Sequence, residues 1–356
     1  MNITIDCRLI DSSGVGIYLS ECLPYFFETD NTFFLIGNIE ILNKYLAKNN
    51  KIKLLECRIK PFSIVELFFF PKKLLKKINS SDLYFNPFFN IPSGIKIPIY
   101  STIHDIIFPD MPELTSRIGL EARMFFYRRC FKLSKTIFTV SEFSKSRIKH
   151  FLGNEKSIIV TYSGIKEKYI DLHINTKNIK KKDTIIFIGN IKKHKGLHHL
   201  LEAFLLAKNE GIPHILVVVG DNKNLRTYDN EFLNKLNSIN PKTVVFTGFI
   251  TEEKLIEYIS TSSLLVQPSL YEGFCLPPLE ALALGTPALI SDIPVLKEIY
   301  SDFPVVFFKS GDPLDLKNEM IKIINNNIKI TLPDYLLNKY TFQKISKKIM
   351  EVFSNT

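Results

Sequence analysis

The sequence predicts an α/β protein built from two doubly wound domains that face each other across a cleft. Along the 356 residues, short apolar segments of strand character alternate with amphipathic segments of helical character, which is typical of parallel sheets covered by helices on both faces. A polar, lysine-rich segment near the middle separates two such runs, as expected of a linker. The chain is long enough for two cores, and its 46% hydrophobic and 23% charged content is that of a globular protein.

The first alternating run contains seven candidate strands and the second contains six. Those of the first run are NITIDCR, TFFLIG, IKLLECRI, DLYFNPF, IPIYSTIH, TIFTVS and SIIVTYSG. Those of the second are TIIFIGN, HILVVVGD, VVFTGF, LLVQP, PALISD and VVFFK. Helical segments between them include IYLSECLPYFFE, RIGLEARMFFYRRCFKL, LHHLLEAFLLAKNEG and FLNKLNSIN. This order predicts an N-terminal domain over 1–172, a linker over 173–183, a C-terminal domain over 184–340 and a final helix within 341–356.

The composition of the chain favours some cellular locations and ligands over others. The five cysteines are scattered without a CxxC pair, which favours a reducing cytoplasm over a disulfide framework or a zinc site. The N-terminus shows no basic leader with an apolar core, and no apolar run reaches membrane-spanning length, so we expect a cytoplasmic protein. The formal net charge of +10 indicates an anionic partner. Because no zinc-finger, RNA-recognition or basic-aromatic repeat accompanies it, phosphorylated ligands or an anionic membrane face are expected rather than nucleic acid.

The strongest basic-amphipathic stretch is Phe62–Asn79, FSIVELFFFPKKLLKKIN. Its phenylalanines precede four lysines that are interleaved with Leu74, Leu75 and Ile78. Two interpretations are open. The apolar side chains could enter a lipid headgroup layer while the lysines meet anionic lipid, or the stretch could be a core-facing helix with a solvated lysine face, which is the commoner outcome. Peripheral contact with the inner face of the cytoplasmic membrane is therefore a hypothesis.

The segment Ser269–Pro287, SLYEGFCLPPLEALALGTP, carries the most chemistry. A short loop after the strand SSLLVQP holds Glu272, and Pro277 and Pro278 open a helix that carries Glu280. Free N–H groups at such a helix start can hold a diphosphate, and both carboxylates can face a ligand lying over the helix end. The alternative is a solvated acidic helix start, which is common. The first interpretation predicts a sugar nucleotide, with one carboxylate for the hydroxyls of each sugar.

This segment resembles the E-x7-E signature of retaining glycosyltransferases of family 4 (glycosyl transferases group 1), whose two Rossmann-like domains form the GT-B architecture. The matching positions are Glu272, Gly273, Phe274, Leu276, Pro277 and Glu280, with Cys275 in place of the usual glycine. The resemblance extends from Asn2 to about Phe308. It implies that these residues bind the donor, Glu272 through the transferred sugar and Glu280 through the ribose. It also implies that the final helix crosses back to the N-terminal domain.

Two groups in the N-terminal half match the same family. Gly14 and Gly16 lie between the first strand and the first helix, where glycines let backbone N–H groups approach a ligand; a tight turn is the alternative. His104, followed by Asp105, ends the strand IPIYSTIH. It resembles the T-H-D motif of a mannosyl- and rhamnosyltransferase-like branch, in which the histidine contacts the transferred sugar; a buried structural histidine is the alternative. Asp105, which can fix the histidine tautomer, and Ser141, a candidate N-cap, are expected to support this site.

Four residues in the C-terminal half complete the predicted donor site. Lys195, before a glycine in IKKHKG, matches the lysine of the family's donor-phosphate site and would neutralise the leaving diphosphate. Asn190 stands where many members carry an arginine, so Lys192, Lys193 or His194 are candidates for the missing charge, although a solvated run is the better interpretation for the two lysines. Gly248 and Phe249 match the loop that holds the nucleotide base.

The resemblance implies retaining transfer of a hexose from a nucleotide-diphosphate sugar, with His104, Lys195 and Glu272 as catalytic residues. GDP-mannose is favoured, followed by dTDP-rhamnose and a UDP-hexose. The expected acceptor is a lipid-linked saccharide in O-antigen or capsule synthesis. Because no D-x-D pair is placed to bind a metal, we expect no metal and no cofactor besides the donor. A nucleotide-sugar epimerase of the same fold and a non-catalytic nucleotide-sugar-binding relative remain open alternatives.

Overall fold

A computed structural model of the chain describes residues 1–12, 14–46, 51–173, 179–220 and 240–355. It divides into two compact units, the first formed by Met1–Gly164 with Thr341–Thr356 and the second by Ile165–Tyr340. The chain therefore passes between the units at the segments YSGI and YTF rather than in the predicted linker 173–183. His173 explains the difference, because its Nδ1 and Nε2 lie 2.7 and 3.1 Å from the carbonyl oxygens of Ala283 and Leu332, and this buried contact ties the start of that segment to the second unit. Residues 174–178 of the predicted linker lie outside the described residues.

Each unit is built on one parallel sheet, as the apolar segments predict. The first sheet has seven strands in the order β3-β2-β1-β4-β5-β6-β7 and the second has six in the order β10-β9-β8-β11-β12-β13. The first seven strands are β1 Asn2–Asp6, β2 Thr32–Gly37, β3 Ile52–Glu56, β4 Leu83–Asn86, β5 Ile99–Thr102, β6 Thr136–Thr139 and β7 Ser157–Val160. The others are β8 Lys182–Ile188, β9 Ile215–Val219, β10 Val244–Gly248, β11 Ser262–Gln267, β12 Ala288–Ser291 and β13 Val306–Phe308.

Helices connect these strands and cover the sheets. In the part of the chain that the structure describes they are α1 Val15–Phe27, α2 Ile39–Leu42, α3 Ile64–Phe68, α4 Lys72–Ile78, α5 Ile107–Asp110, α6 Arg117–Leu133, α7 Glu142–Leu152, α8 Glu167–His173, α9 Leu197–Asn209, α10 Glu252–Thr261, α11 Pro277–Ala283, α12 Pro294–Tyr300, α13 Pro313–Asn325, α14 Asp334–Leu337 and α15 Phe342–Ser354. The helix predicted over FLNKLNSIN lies, apart from its last residue, outside the described residues. None of the described helices combines the length and the apolar character that a membrane crossing needs.

The final helix, α15, is part of the first unit. Its Ser346 hydroxyl donates a hydrogen bond to the carbonyl of Cys22 on α1, at 3.3 Å. The Phe353 ring meets the rings of Phe85 and Tyr100 at centroid distances of 5.4 and 5.0 Å. These contacts bury an aromatic side chain that a solvated tail would expose, so the last residues of the chain complete the core built by the first.

The basic-amphipathic stretch Phe62–Asn79 divides into two helices, α3 and α4, because Pro71 has no N–H to continue the first. In α4, Ile78 is fully buried and Leu74 and Leu75 pack against the core, while the lysines are exposed. The expectation that these three side chains enter a headgroup layer is therefore wrong, since the core of the first unit already covers them. Helix α3 behaves differently, because most of its apolar side chains are exposed.

Candidate functional site

The order of strands in the second unit creates a natural binding position. The chain runs from β8 outward to β9 and β10, then returns to add β11 on the other side of β8. Loops that follow two such neighbouring strands leave the sheet in opposite directions, so ligands of open α/β sheets bind where the order reverses. Here those two loops are 189–196 after β8 and 268–276 after β11. They carry Asn190 and Lys195 on one side and Glu272 on the other.

Lys195 and Glu272 form an ion pair that joins the two loops. The Lys195 Nζ lies 2.8 Å from both carboxylate oxygens of Glu272. The Lys195 side chain is 23% exposed and that of Glu272 is 7% exposed, so a ligand reaching the pair would meet the ammonium first. The structure thus brings together two predicted site residues that are far apart in sequence.

Backbone contacts hold the two loops at this close distance. The N–H of Leu270 donates to the carbonyl of His194 at 2.7 Å. Gly196 has φ 70°, and a Cβ there would lie 1.8 Å from the carbonyl oxygen of Pro268. Because an L side chain is disfavoured at this φ and would also clash with backbone, glycine at 196 fixes the position of the lysine before it.

The environment of Glu272 keeps its carboxylate charged. Burial alone would raise its pKa, but the charge and hydrogen bonds of Lys195, with a 2.7 Å hydrogen bond from the Ser269 hydroxyl, hold the pKa below its usual value. Ser269 in turn accepts a hydrogen bond from the Gln267 side chain. The sequence analysis missed both supporting residues, and only their short separation from Glu272 hinted at this role.

Glu280 is also buried but has the opposite electrostatics. Burial raises its pKa to about 7, while the positive charge of Lys166 opposes that rise and the negative charge of Glu252 adds to it. A carboxylate kept near its titration point in an apolar setting gains by accepting hydrogen bonds from a ligand. The prediction that Glu280 binds a polar group is compatible with this setting.

The start of α11 offers fewer N–H donors than the sequence predicts. Pro277 and Pro278 have no N–H, and the next two N–H groups, of Leu279 and Glu280, both donate to the carbonyl of Leu276. The expected diphosphate pocket at this helix start is therefore poorer in donors, because the prolines that mark the helix also remove its free N–H groups. Cationic side chains therefore become more important than backbone N–H groups for binding a diphosphate here.

The remaining signature residues have structural roles of their own. Gly273 and Phe274 are buried, Leu276 is half-buried, and the Phe274 ring packs edge-on against Tyr340 at 5.2 Å. Cys275 adopts φ 77°, the left-handed region that favours glycine, and its carbonyl accepts a hydrogen bond from the Tyr300 hydroxyl. The cysteine thus occupies a backbone conformation for which glycine is the natural residue.

This conformation makes the effect of substituting Cys275 predictable. We expect Cys275→Gly to change the free energy of unfolding by no more than about 1 kcal/mol, since relief of backbone strain offsets lost packing and added chain entropy. Cys275→Val should destabilise by about 2 kcal/mol or more, because a β-branched residue fits φ 77° poorly. Urea denaturation of both variants measures the difference. Equal stability of the glycine and valine variants would contradict the argument.

The loop after β8 carries less positive charge than the sequence allows. Asn190 is partly exposed, and its carbonyl accepts a hydrogen bond from the Lys192 N–H. Burial, with the nearby charge of Lys195, lowers the pKa of His194 to about 4, so His194 is neutral at pH 7 and does not replace the missing arginine. Lys192 and Lys193 are exposed. Lys195, which is partly buried and paired with Glu272, is therefore the cation of this loop that lies closest to the predicted sugar-binding carboxylate.

Gly248 and Phe249 lie at the same edge of the second sheet. Gly248 ends β10 with φ 66° and forms an isolated bridge with Gly220, the residue after β9. The Phe249 ring is largely exposed, an uncommon position for a large aromatic side chain. Both remain predicted base-binding residues.

In the first unit, His104 is held in one tautomer by a backbone carbonyl. Its Nε2 donates to the carbonyl of Pro87 at 2.9 Å, so Nδ1 of the neutral ring is an acceptor. Burial lowers the pKa of His104 to about 4, although the Pro87 hydrogen bond opposes that change. Asp105, expected to fix the tautomer, instead accepts the Ile107 N–H through Oδ1 at 3.3 Å. Pro87 was missed because a carbonyl has no sequence signature.

Ser141 supports the histidine indirectly. It is the N-cap of α7 and accepts the N–H of Ser144 at 3.0 Å. The Ser144 hydroxyl donates to the His104 carbonyl at 3.2 Å. The predicted cap therefore fixes the backbone that carries the ring.

Backbone conformation explains the first of the two glycines after β1, and packing explains the second. Gly14 has φ 72° and precedes α1, and a Cβ on Gly16 would lie 2.3 Å from the carbonyl oxygen of Ile10. The residue just before Gly14 lies outside the described residues. Both glycines are needed for the turn itself, and their predicted contact with a ligand stays a prediction.

The chain is similar in sequence to a known protein family and to several characterised proteins. Residues 170–336 match the family described as Glycosyl transferases group 1. O-antigen chain mannosyltransferase B of Escherichia coli is 25% identical over 245 residues, which is 66% of this chain and 62% of that protein. The match thus spans less than two thirds of the relative's length. The serotype-specific mannosyltransferase WbdA of Escherichia coli is 39% identical over 83 residues, 23% of this chain and 10% of that protein.

The fold is matched over its full length by a solved structure. HepE from Anabaena in complex with UDP-glucose has a TM-score of 0.72 at 17% identity, with 100% of both chains covered. At this identity the likeness concerns the fold alone. It confirms the predicted α/β fold of two Rossmann-like domains of the GT-B type, while the cleft between them stays a prediction.

Proposed function

Because residues 170–336 match the glycosyl transferases group 1 family, we propose that the protein is a retaining hexosyltransferase that uses a nucleotide-diphosphate sugar. The observation that carries the proposal is the Lys195–Glu272 ion pair at the strand-order reversal of the second sheet. The pair consists of a partly exposed cation and a buried, charged carboxylate, at the position where ligands of such sheets bind.

In the proposed reaction, the bond between the sugar C1 and the diphosphate oxygen breaks while a bond from C1 to the acceptor oxygen forms on the same face. The nucleoside diphosphate leaves with the electron pair, and the acceptor proton passes to a leaving phosphate oxygen. Lys195 stabilises the negative charge that grows on the diphosphate. Glu272 accepts hydrogen bonds from hydroxyls of the transferred sugar and Glu280 from the ribose. His104, neutral with a free acceptor at Nδ1, is the proposed contact from the first unit to the sugar.

The proposed donor is GDP-mannose, with dTDP-rhamnose and a UDP-hexose as the other possibilities. Two relatives that are named as mannosyltransferases support mannose, one of them acting in O-antigen synthesis by its name. The proposed acceptor is a lipid-linked saccharide of O-antigen or capsule synthesis, at the cytoplasmic side of the membrane. Metal independence is part of the proposal, because Lys195 supplies a positive charge at the leaving group.

A thermal-shift panel of GDP-mannose, dTDP-rhamnose and UDP-glucose, run with EDTA, tests the donor. We expect one sugar nucleotide to raise Tm, because a ligand at a hundred times its Kd adds about 2.7 kcal/mol of stability. Lys195→Ala should abolish the shift, while Lys193→Ala, an exposed lysine of the same loop, should retain it. A shift by none of the three would overturn the donor assignment. Quantitative isomerisation of the donor without acceptor would identify an epimerase instead.

A further inference from the structure

Helix α3 exposes its apolar side chains and buries its acid, the reverse of an ordinary surface helix. Ile64, Val65 and Phe68 are 69%, 45% and 73% exposed, and Phe69, directly after the helix, is 71% exposed. Glu66, the only acidic residue between Phe62 and Asn79, is fully buried. A contiguous exposed set of four large apolar side chains indicates a surface that another phase or molecule covers.

The buried side of α3 is fixed by a network around Glu66. One carboxylate oxygen accepts hydrogen bonds from Arg8 at 2.6 Å and from Asn90 at 2.9 Å. The other accepts the N–H of Phe62 at 2.6 Å. Arg8 also pairs with Asp6 at the end of β1, and the side chains of this pair are almost fully buried. A five-residue helix is too short to be stable alone, so these contacts determine which face it presents.

Aromatic packing holds the same helix from its N-terminal side. The Phe62 ring meets the rings of Phe88, Phe89 and Phe126 at 5.6, 4.9 and 4.9 Å. Phe125, next to Phe126 on α6, is half-exposed. The outward direction of Ile64, Val65, Phe68 and Phe69 is therefore built into the fold of the first unit.

The charged side chains of the next helix, α4, are all lysines. Lys72, Lys73, Lys76 and Lys77 on α4 are exposed and follow Phe69 directly. Apolar side chains that penetrate a few ångströms, next to lysines that stay at the surface, match an anionic bilayer, in which acyl chains lie beneath negative headgroups. An apolar protein partner would not require four adjacent cations.

We propose that α3 and the start of α4 form a membrane-docking surface, with Ile64, Val65, Phe68 and Phe69 inserted among lipids and the α4 lysines on anionic headgroups. The surface would bring the proposed enzyme to a lipid-linked acceptor, and in this respect it rests on the proposed function. Its binding to lipid is independent of the donor and can be measured without it. Arg8 and Glu66 act here as positioning residues for the helix.

Vesicle flotation of the full chain, without any sugar nucleotide, tests the surface. We expect the protein to float with phosphatidylglycerol–phosphatidylethanolamine vesicles, to float less as NaCl rises, and to stay unbound with pure phosphatidylcholine. Phe68→Ser/Phe69→Ser should weaken binding about tenfold or more. Lys72→Gln/Lys73→Gln/Lys76→Gln should weaken it about a hundredfold, at about fivefold per lysine. Thermal unfolding should stay unchanged, since all five side chains are exposed.

Matched changes in the second unit serve as controls. Leu314→Ser removes an exposed apolar side chain, and Lys309→Gln/Lys322→Gln/Lys329→Gln removes three exposed lysines. Both should retain vesicle binding. The proposal fails if the wild type does not float with anionic vesicles, as a protein-docking surface would predict, or if the control triple variant loses binding as much as the α4 triple variant. A protein that floats normally but binds no sugar nucleotide would refute only the proposed function.

Discussion

Lys195→Ala is expected to reduce the rate of glycosyl transfer by about 10²–10³-fold, because removing one preorganised donor to a developing charge has an effect of this size. The structure adds a second effect, on stability. Without Lys195, the buried Glu272 carboxylate loses its cation, and breaking such a pair costs about 3 kcal/mol. The activity measurement is release of nucleoside diphosphate from the donor found by thermal shift, and the stability measurement is urea denaturation.

The double variant Lys195→Ala/Glu272→Gln separates these two effects. Neutralising Glu272 removes the unpaired buried charge, so much of the stability should return, whereas transfer should stay low because no cation faces the leaving group. Lys193→Ala is the control for a generic loss of positive charge in the loop. Wild-type transfer rates in Lys195→Ala would refute the assigned role.

The contribution of the Lys195–Glu272 ion pair to folding stability should decrease in acid. The pKa of Glu272 is held below its ordinary value of 4.5 in the folded protein, so the pair stabilises the fold above that value and this contribution is lost as pH falls through the lower folded pKa. The stability difference between wild type and Lys195→Ala should therefore be full at pH 7 and shrink in acid. A difference that grows in acid would mean that Lys195 stabilises the fold through other contacts.

The sequence predicted the elements of the fold well because most of the strands are buried on both faces. Segments such as HILVVVGD and TIIFIGN are apolar without alternation, and they appear as β9 and β8 inside the second sheet. The order of strands within each sheet was not predictable from these runs. Strand order depends on which crossover each helix makes, and apolar runs of similar composition do not distinguish neighbours.

The residues of the candidate site were predictable from the sequence, but their spatial arrangement was not. Lys195 and Glu272 were each assigned to a donor, yet their mutual contact depends on the adjacency of β8 and β11 and on the close approach at Gly196. The passage between units was misplaced because the polar segment near 173–183 looks more like a linker than the short segment at Gly164 does. A polar composition indicates that a segment is exposed to solvent. A chain passage between two compact units, however, requires only one or two residues and leaves no such signal.

Helix α3 shows a further limit of pattern analysis. In FSIVELFFF, helical periodicity favours burial of the apolar residues and exposure of Glu66, and the structure has the reverse. The reason is long-range: Arg8, 58 positions away in sequence, needs a second carboxylate in the core. A buried cation, together with Asn90 and the packing of Phe62, thus sets the orientation of a helix that local hydrophobicity would turn the other way.

Glu280→Gln is expected to stabilise the free protein above neutral pH and to weaken donor binding. Burial is the main reason that the pKa of Glu280 is raised from its ordinary value of 4.5 to about 7 in the folded protein. Stability from this group is therefore full below pH 4.5, falls between pH 4.5 and 7, and stays low above that range. At 1.36 kcal/mol per pKa unit, the charged side chain destabilises the fold by about 3 kcal/mol at pH 8. Glutamine has nearly the same shape and carries no such penalty.

Urea denaturation from pH 4 to pH 8 measures this effect. The stabilities of wild type and Glu280→Gln should coincide near pH 4 and differ increasingly up to pH 8, with the variant more stable. Glu202→Gln, which replaces an exposed glutamate of the same unit, should follow the wild type. Curves that run parallel at all pH values would show that Glu280 does not titrate in this range.

The same substitution tests the ligand role of Glu280. Hydrogen bonds from ribose hydroxyls to a carboxylate contribute about 1.5–3 kcal/mol, so loss of the charge should weaken donor affinity by about 10–100-fold at pH 8. In the wild type, affinity should rise with pH through 7 as the carboxylate ionises, and this rise should be absent in Glu280→Gln. A gain in stability together with a loss of affinity is the signature of a residue kept for binding rather than for folding, because a purely structural glutamate would show neither the pH-dependent affinity nor the trade-off.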